Sequence, residues 1–164
     1  MGDTDTLMIR QARFADIPSI VQLMKEGHAR SKYANRDEID VHEAKRLLMQ
    51  FIQRHGLKRE GGTCVFVTDA VDGFMMGMLD RVYHVGTKLV AQDLFYYCRE
   101  NTAPQAALGL LAAYTDWAES VPNIIEIRNG ITDIVNAENV VRVESLYQRQ
   151  GFSRCGVLME RKVG

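Results

Sequence analysis

A single α/β domain, with helices on both faces of a mixed sheet, follows from three features of this chain. Short β-patterned runs alternate with amphipathic helical stretches. An Asp-Gly turn joins two of the runs as a hairpin, which makes them antiparallel neighbours. Later runs are separated by whole helices, which requires right-handed parallel crossovers. The order read along residues 1–164 is β, α, α, β, β, β, α, β, α, β.

The first strand is LMIRQA (Leu7–Ala12), where apolar and polar residues alternate. Asp16 is expected to cap the first helix, with Pro18 in the opening turn and Ile17, Ile20, Val21, Leu23 and Met24 as its buried stripe. EGHARSKYANRDEID is polar and aperiodic, a loop or broken helix. VHEAKRLLMQFIQRHG forms a second helix, with Val41, Ala44, Leu47, Leu48 and Phe51 on one face and Gly56 as its stop. The strand TCVFVTDA, the turn VDGF and the strands FMMGMLDRVYH and LVAQDLFYYC come next. Helical spacing resumes at Leu108, Leu111, Ala112, Tyr114 and Ala118 and ends by Pro122. IIEIRNGIT is a further strand, VNAENVVRVESLYQRQG a helix stopped by Gly151, and CGVLMERKV the expected closing strand.

Apolar residues are 46% and charged residues 25%, the balance of a globular protein. A net charge of −1 gives no global field for nucleic acid or an anionic membrane. Cys64, Cys98 and Cys155 fall in no zinc-ligand spacing, so no metal is expected. Their odd number, with no export signal and no apolar run of about 18 residues, fits a cytoplasmic protein.

The segment YYCRENTAPQAALG is a strand–turn–helix, the arrangement in which backbone N–H groups and a helix N-terminus close on an anion. Such turns are usually rich in glycine, and here none precedes Gly109. Small side chains at Ala103, Ala106 and Ala107 leave the backbone approachable, Pro104 suits a first helical turn, and Arg99 lies near enough to supply charge. The residues alone leave open a working cradle, a decayed one and a plain crossover.

SLYQRQGFSRCGV resembles the "LYxxxGF" element and last strand of the Gcn5-related N-acetyltransferases, and the likeness runs from MIRQARFADIPSIVQLM to VLMERKV. GHARSKY and AALGLLAAYTDWA are further similar to acetyltransferase-like proteins of bacteriophages and bacteria. The resemblance implies a mostly antiparallel central sheet flanked by helices. It also implies acetyl transfer from acetyl-CoA to a primary amine of a small molecule or protein, without nucleic acid or membrane, and it admits a homodimer. The alternative it carries is a non-catalytic binding or structural module of the same fold with a degenerate CoA site.

On this resemblance Phe95, Tyr96, Tyr97 and Cys98 run along the pantetheine arm. Thr102, Ala103, Gln105, Ala106 and Ala107 form the pyrophosphate turn, where the family pattern is Arg/Gln-x-x-Gly-x-Gly/Ala. The turn departs from it: Thr102 replaces the basic or amide head, Gln105 the first glycine, and Pro104 lacks an N–H. Asn139, with Asn136 competing, would contact the pantetheine. Tyr147 takes the place of the general acid that protonates the departing thiolate. Asp93 is the best carboxylate to take the amine's proton, and period-2 alternation puts it on the face of Phe95 and Tyr97. His28, Ser31 and Tyr33 lie in a loop that would roof the acceptor. Simpler readings stand beside these: Tyr147 packs with Val143 and Leu146, Asp93 is a solvated strand-end carboxylate, and Cys98 is a small buried hydrophobe. Tyr114 and Trp117 are packing residues, and His42 and His55 are solvated.

Overall fold

The computed structural model describes residues 8–131 and 140–164. Five strands stand side by side in chain order: β1 (Ile9–Gln11), β2 (Thr63–Thr68), β3 (Gly73–Arg81), β4 (Leu89–Cys98) and β5 (Ile124–Arg128). β1 to β4 are successively antiparallel, and β5 joins β4 in parallel. The helices are α1 (Ile17–Ala29), α2 (Val41–Gln53), α3 (Pro104–Glu119) and α4 (Val140–Arg149). This is the mixed, mostly antiparallel α/β architecture anticipated above, with α3 as the crossover into the parallel strand.

The sheet has a core on each face. Val65, Val67, Phe74 and Met76 pack with Ile20 and Leu23 of α1 and Leu48 of α2. Cys64, Met75, Leu79 and Ala91 face the opposite way, against Leu110, Leu111 and Tyr114 of α3. That is why TCVFVT is apolar almost throughout: β2 is buried on both faces along its whole length. Each large side chain so buried contributes about 1.5–3 kcal/mol. Gly77 sets how close α3 comes, because a Cβ there would lie 2.5 Å from Tyr114 Cε2.

Four local expectations are corrected. Asp16 stands at the N-cap position of α1 but its side chain bonds no N–H of that helix: the carboxylate turns back over the preceding 3₁₀ turn, accepting from Arg13 N and from the Arg10 guanidinium (2.7 and 2.9 Å). Asp40 is the residue that does cap a helix, accepting from Glu43 N. In the β2–β3 turn the positive φ falls on Val71 rather than on Gly73, while the Thr68 hydroxyl donates to the Asp72 carboxylate. His55 is half-buried, edge-on to Phe66 at 5.4 Å, and burial lowers its pKa.

The fourth correction is the largest. No strand follows α4 among the described residues, although CGVLMERKV has strand composition. A ladder needs a facing strand, and this segment is held by side chains instead. Arg154 pairs with Glu144 of α4, Glu160 with Lys32, and Arg36 donates to Val163 O. Val157, Leu158 and Met159 are left 78–84% exposed.

Candidate active site

The site begins where β4 and β5 part. They pair from Leu89 with Ile124 to Gln92 with Arg128, and there the pairing stops. Beyond that point the edge of β4 from Asp93 to Cys98 has no strand partner on the β5 side among the described residues. Asp93 Oδ1 sits in the fork and accepts from Gly130 N at 2.9 Å.

One residue of β4 is extra. Met76 pairs with Phe95 and Gly77 with Asp93, so Leu94 bulges out of the ladder. The bulge overturns the expectation that Asp93 shares a face with Phe95 and Tyr97. Phe95 and Tyr97 pack on the α1–α2 side, whereas Ala91, Tyr96 and Cys98 pack on the α3 side. Asp93, opposite Gly77, belongs with the second group, near Tyr114 and Tyr147. It is not the solvated carboxylate of the simpler reading, since burial raises its pKa against the lowering effect of the Gly130 N–H.

A cleft of about 570 Å³ opens at this fork. It brings together Phe95, Tyr96, Tyr97 and Cys98 of β4, Ala107 of α3, Asp93 and Tyr147. His28, Ser31 and Tyr33 line it from the α1 side, as anticipated for a roof. His28 Nε2 donates to Asp37 O at 2.8 Å, and the Ser31 hydroxyl donates to His28 O at 2.7 Å. Asn139 and its competitor Asn136 lie outside the described residues.

Tyr147 is buried, 5.8 Å between ring centres from Phe152 of the GF pair. Its hydroxyl has no hydrogen-bond partner among the described residues. Burial, then the Asp93 charge, raise its pKa and keep the phenol protonated at neutral pH. Cys98 is pushed up to about 12, chiefly by burial, so its thiol is not a nucleophile at neutral pH.

The turn before α3 is sparser in donors than its backbone count implies. Thr102 is buried, its hydroxyl donating to Asp72 O at 3.1 Å and its N–H to Arg99 O. Ala106 and Ala107 both spend their N–H groups on Ala103 O. Pro104 has none, which leaves Ala103 N and Gln105 N without an acceptor among the described residues. Arg99 is engaged as well: its guanidinium donates to both Glu26 oxygens at 2.9 and 3.1 Å. A second pair, Arg30 with Glu100, links the end of α1 to the same turn.

Several contributors escaped sequence reasoning. The Tyr96 hydroxyl donates to Ala107 O and so ties β4 to the first turn of α3. Glu26 claims Arg99 across 73 residues, a partnership no local pattern announces. Gly27 carried a usable signal: a glycine late in an otherwise regular helix marks a close approach, and a Cβ there would lie 3.2 Å from Tyr97 Cδ2. Asn129, just past β5, has both amide atoms buried without a partner among the described residues.

No protein-family model matches the sequence, and a search of curated proteins gives no match. Solved structures do match the fold. Glucosamine-6-phosphate N-acetyltransferase from Arabidopsis thaliana superposes with a TM-score of 0.65 at 12% identity, covering 95% of this chain and 97% of that one. A predicted acetyltransferase with acetyl-CoA from Clostridium acetobutylicum gives 0.65 at 15% identity, covering 94% of each chain. Ribosomal-protein-alanine N-acetyltransferase from Brucella melitensis biovar Abortus 2308 gives 0.64 at 15%, covering 95% and 98%. In strand order, in the parting of β4 from β5 and in these likenesses, the chain has the fold of the Gcn5-related N-acetyltransferases.

Proposed function

We propose that this chain is an N-acetyltransferase that moves an acetyl group from acetyl-CoA to a primary amine of a small molecule or protein. The observation that carries the reading is the fork itself: an open β4 edge, the start of α3 and the Tyr147 phenol meet in one cleft. The residues fit the co-substrate in kind. Phe95 to Cys98 offer unpaired backbone to an amide-bearing arm, and Ala103 N, Gln105 N and the α3 N-terminus offer partial positive charge to a diphosphate. Bound acetyl-CoA supplies the activated thioester. As the amine nitrogen bonds to the acyl carbon and the carbon–sulfur bond breaks, Tyr147 donates its proton to the leaving sulfur. The amine gives up its proton to Asp93, directly or through water, and the raised carboxyl pKa makes Asp93 a better base than an ordinary aspartate. His28, Ser31 and Tyr33 bound the acceptor end.

A second reading, a non-catalytic module of the same fold, is favoured by the cradle: two free N–H groups, and an Arg99 already held by Glu26. Thermal unfolding with acetyl-CoA separates the two. A ligand at about 100 times its Kd stabilises by about 2.7 kcal/mol. For a chain of this size that is a rise of roughly 5–10 °C in Tm. No rise at millimolar acetyl-CoA selects the second reading.

A further inference from the structure

We propose that the acceptor drawn into the cleft at the fork is a primary amine with a single positive charge on an aromatic body, of the arylalkylamine kind. The inference names the substrate of the transfer proposed above and rests on that reading. The cleft touches both layers of the domain, with Asp93 on the α3 side and Phe95 and Tyr97 on the α1–α2 side.

Charge limits the acceptor to one ammonium. Asp93 is the one carboxylate among the described residues that line the cleft. Glu26 and Glu100, at the end of α1 and in the turn after β4, are taken by Arg99 and Arg30. A second ammonium, as in a polyamine, would meet Arg30 at the wall and no second carboxylate. An unpaired charge held out of water is costly, so such an amine is selected against.

The roof is as poor a host for a hydroxyl-rich amine such as an amino sugar. The Ser31 hydroxyl donates to His28 O at 2.7 Å and accepts from Tyr33 N at 3.1 Å. His28 Nε2 donates to Asp37 O at 2.8 Å. These polar groups hold the backbone of the roof itself, and each sugar hydroxyl enclosed without a partner weakens binding.

What the cleft does offer is apolar wall. Phe95, Tyr97 and Ile39 are half-buried and Tyr33 is exposed, so each keeps surface for a ligand. Phe74 backs Phe95, with 6.0 Å between ring centres. At Gly27 a Cβ would lie 3.2 Å from Tyr97 Cδ2, so the glycine lets that ring lie back against α1 and keeps the cleft open. Rings set in this way accept another ring offset or edge-on, which a flexible aliphatic chain does not match. The volume, about 570 Å³, is that of a small-molecule site.

Calorimetry on the full chain, with no acetyl-CoA present, is the test, and 2-phenylethylamine, spermidine and glucosamine are the probes. The Kd for 2-phenylethylamine is expected to be at least about tenfold below the other two. Ile39→Glu puts a second carboxylate at the cleft and is expected to reverse the order of 2-phenylethylamine and spermidine. Tyr33→Ala is expected to raise the Kd for 2-phenylethylamine at least about threefold and to leave the other two unchanged. Both positions lie in the connection between α1 and α2, and circular dichroism checks that the fold is kept. Spermidine or glucosamine bound as tightly as 2-phenylethylamine, no binding of 2-phenylethylamine at millimolar concentration, or an order indifferent to Ile39→Glu overturns the proposal. The acetyl-CoA shift in Tm judges the transfer reading separately: a shift beside any of those three results sinks the acceptor class alone.

Discussion

Asp93 and Gly130 hold the fork between β4 and β5 with a single hydrogen bond, from Gly130 N to Asp93 Oδ1 at 2.9 Å. The bond lies one residue beyond the last paired position of β4. The carboxylate therefore has two tasks that a substitution separates: it accepts from a backbone N–H, and it is a buried titratable group.

Asp93→Asn keeps the acceptor and removes the charge. Burial raises the folded-state pKa of Asp93, so the folded protein holds its proton more tightly than the unfolded chain. Its contribution to stability is then fully present below the usual aspartate range and is lost as pH rises through the raised value. The variant and wild type should have equal Tm values at low pH, with the variant gaining as pH approaches neutrality. Activity should fall about 10²–10⁴-fold if Asp93 is the base. A variant less stable than wild type at pH 7 would show that the Gly130 bond needs the charge.

Tyr147→Phe keeps the ring against Phe152 and deletes a hydroxyl without a hydrogen-bond partner among the described residues. Stability should change by less than about 1 kcal/mol. With an acceptor amine in hand, kcat and kcat/KM should both fall about 10²–10⁴-fold while CoA affinity holds. Retention of more than about half the rate would assign Tyr147 to packing alone.

Pro104→Ala restores an N–H at the start of α3. A hydrogen bond to a charged partner is worth about 1.5–3 kcal/mol, against about 0.4–1 kcal/mol for the lost rigidity of proline. The first is a gain in binding and the second a loss in folding stability, so calorimetry should read a CoA Kd at least about tenfold lower, with slightly lower Tm in the apo protein. Unchanged affinity in a folded variant would mean the diphosphate does not approach this N–H.

Gly77→Ala tests the packing of α3 on the sheet. The new Cβ would lie 2.5 Å from Tyr114 Cε2 and 2.8 Å from Cδ2, and Tyr114 is anchored by its hydroxyl donating to Arg128 O. Overpacking of this kind costs about 1–3 kcal/mol. Chemical denaturation should show that loss. A neutral result would mean the helix shifts freely.

The β-α order, the α3 crossover and both buried stripes were legible because hydrophobic period depends on local sequence alone. So were the residues of the cleft that sit in runs, Phe95 to Cys98, and Tyr147 beside its GF pair. The face of Asp93 was not legible, since a bulge is decided by the partner strand, here at Met76 and Gly77. Nor was the state of Arg99, whose partner Glu26 lies on another element. The closing strand failed for the same kind of reason: β composition in 157–163 states a preference for pairing without stating with what.

Leu94 makes β4 a strand of two allegiances. One inserted residue reverses the parity of everything after it, so neighbouring stretches of a single strand address opposite layers of the domain: Ala91 and Asp93 one layer, Phe95 and Tyr97 the other. Substituting Leu94 leaves that division standing, and so would deleting it: Phe95 would follow Asp93 directly in a regular ladder against Met76 and Gly77, with the Tyr96 hydroxyl still at Ala107 and both aromatic rings still on the α1–α2 side. What Leu94 adds is length on one strand alone, so the faces of its neighbours are set by Met76 and Gly77 across the ladder and not by the count along β4.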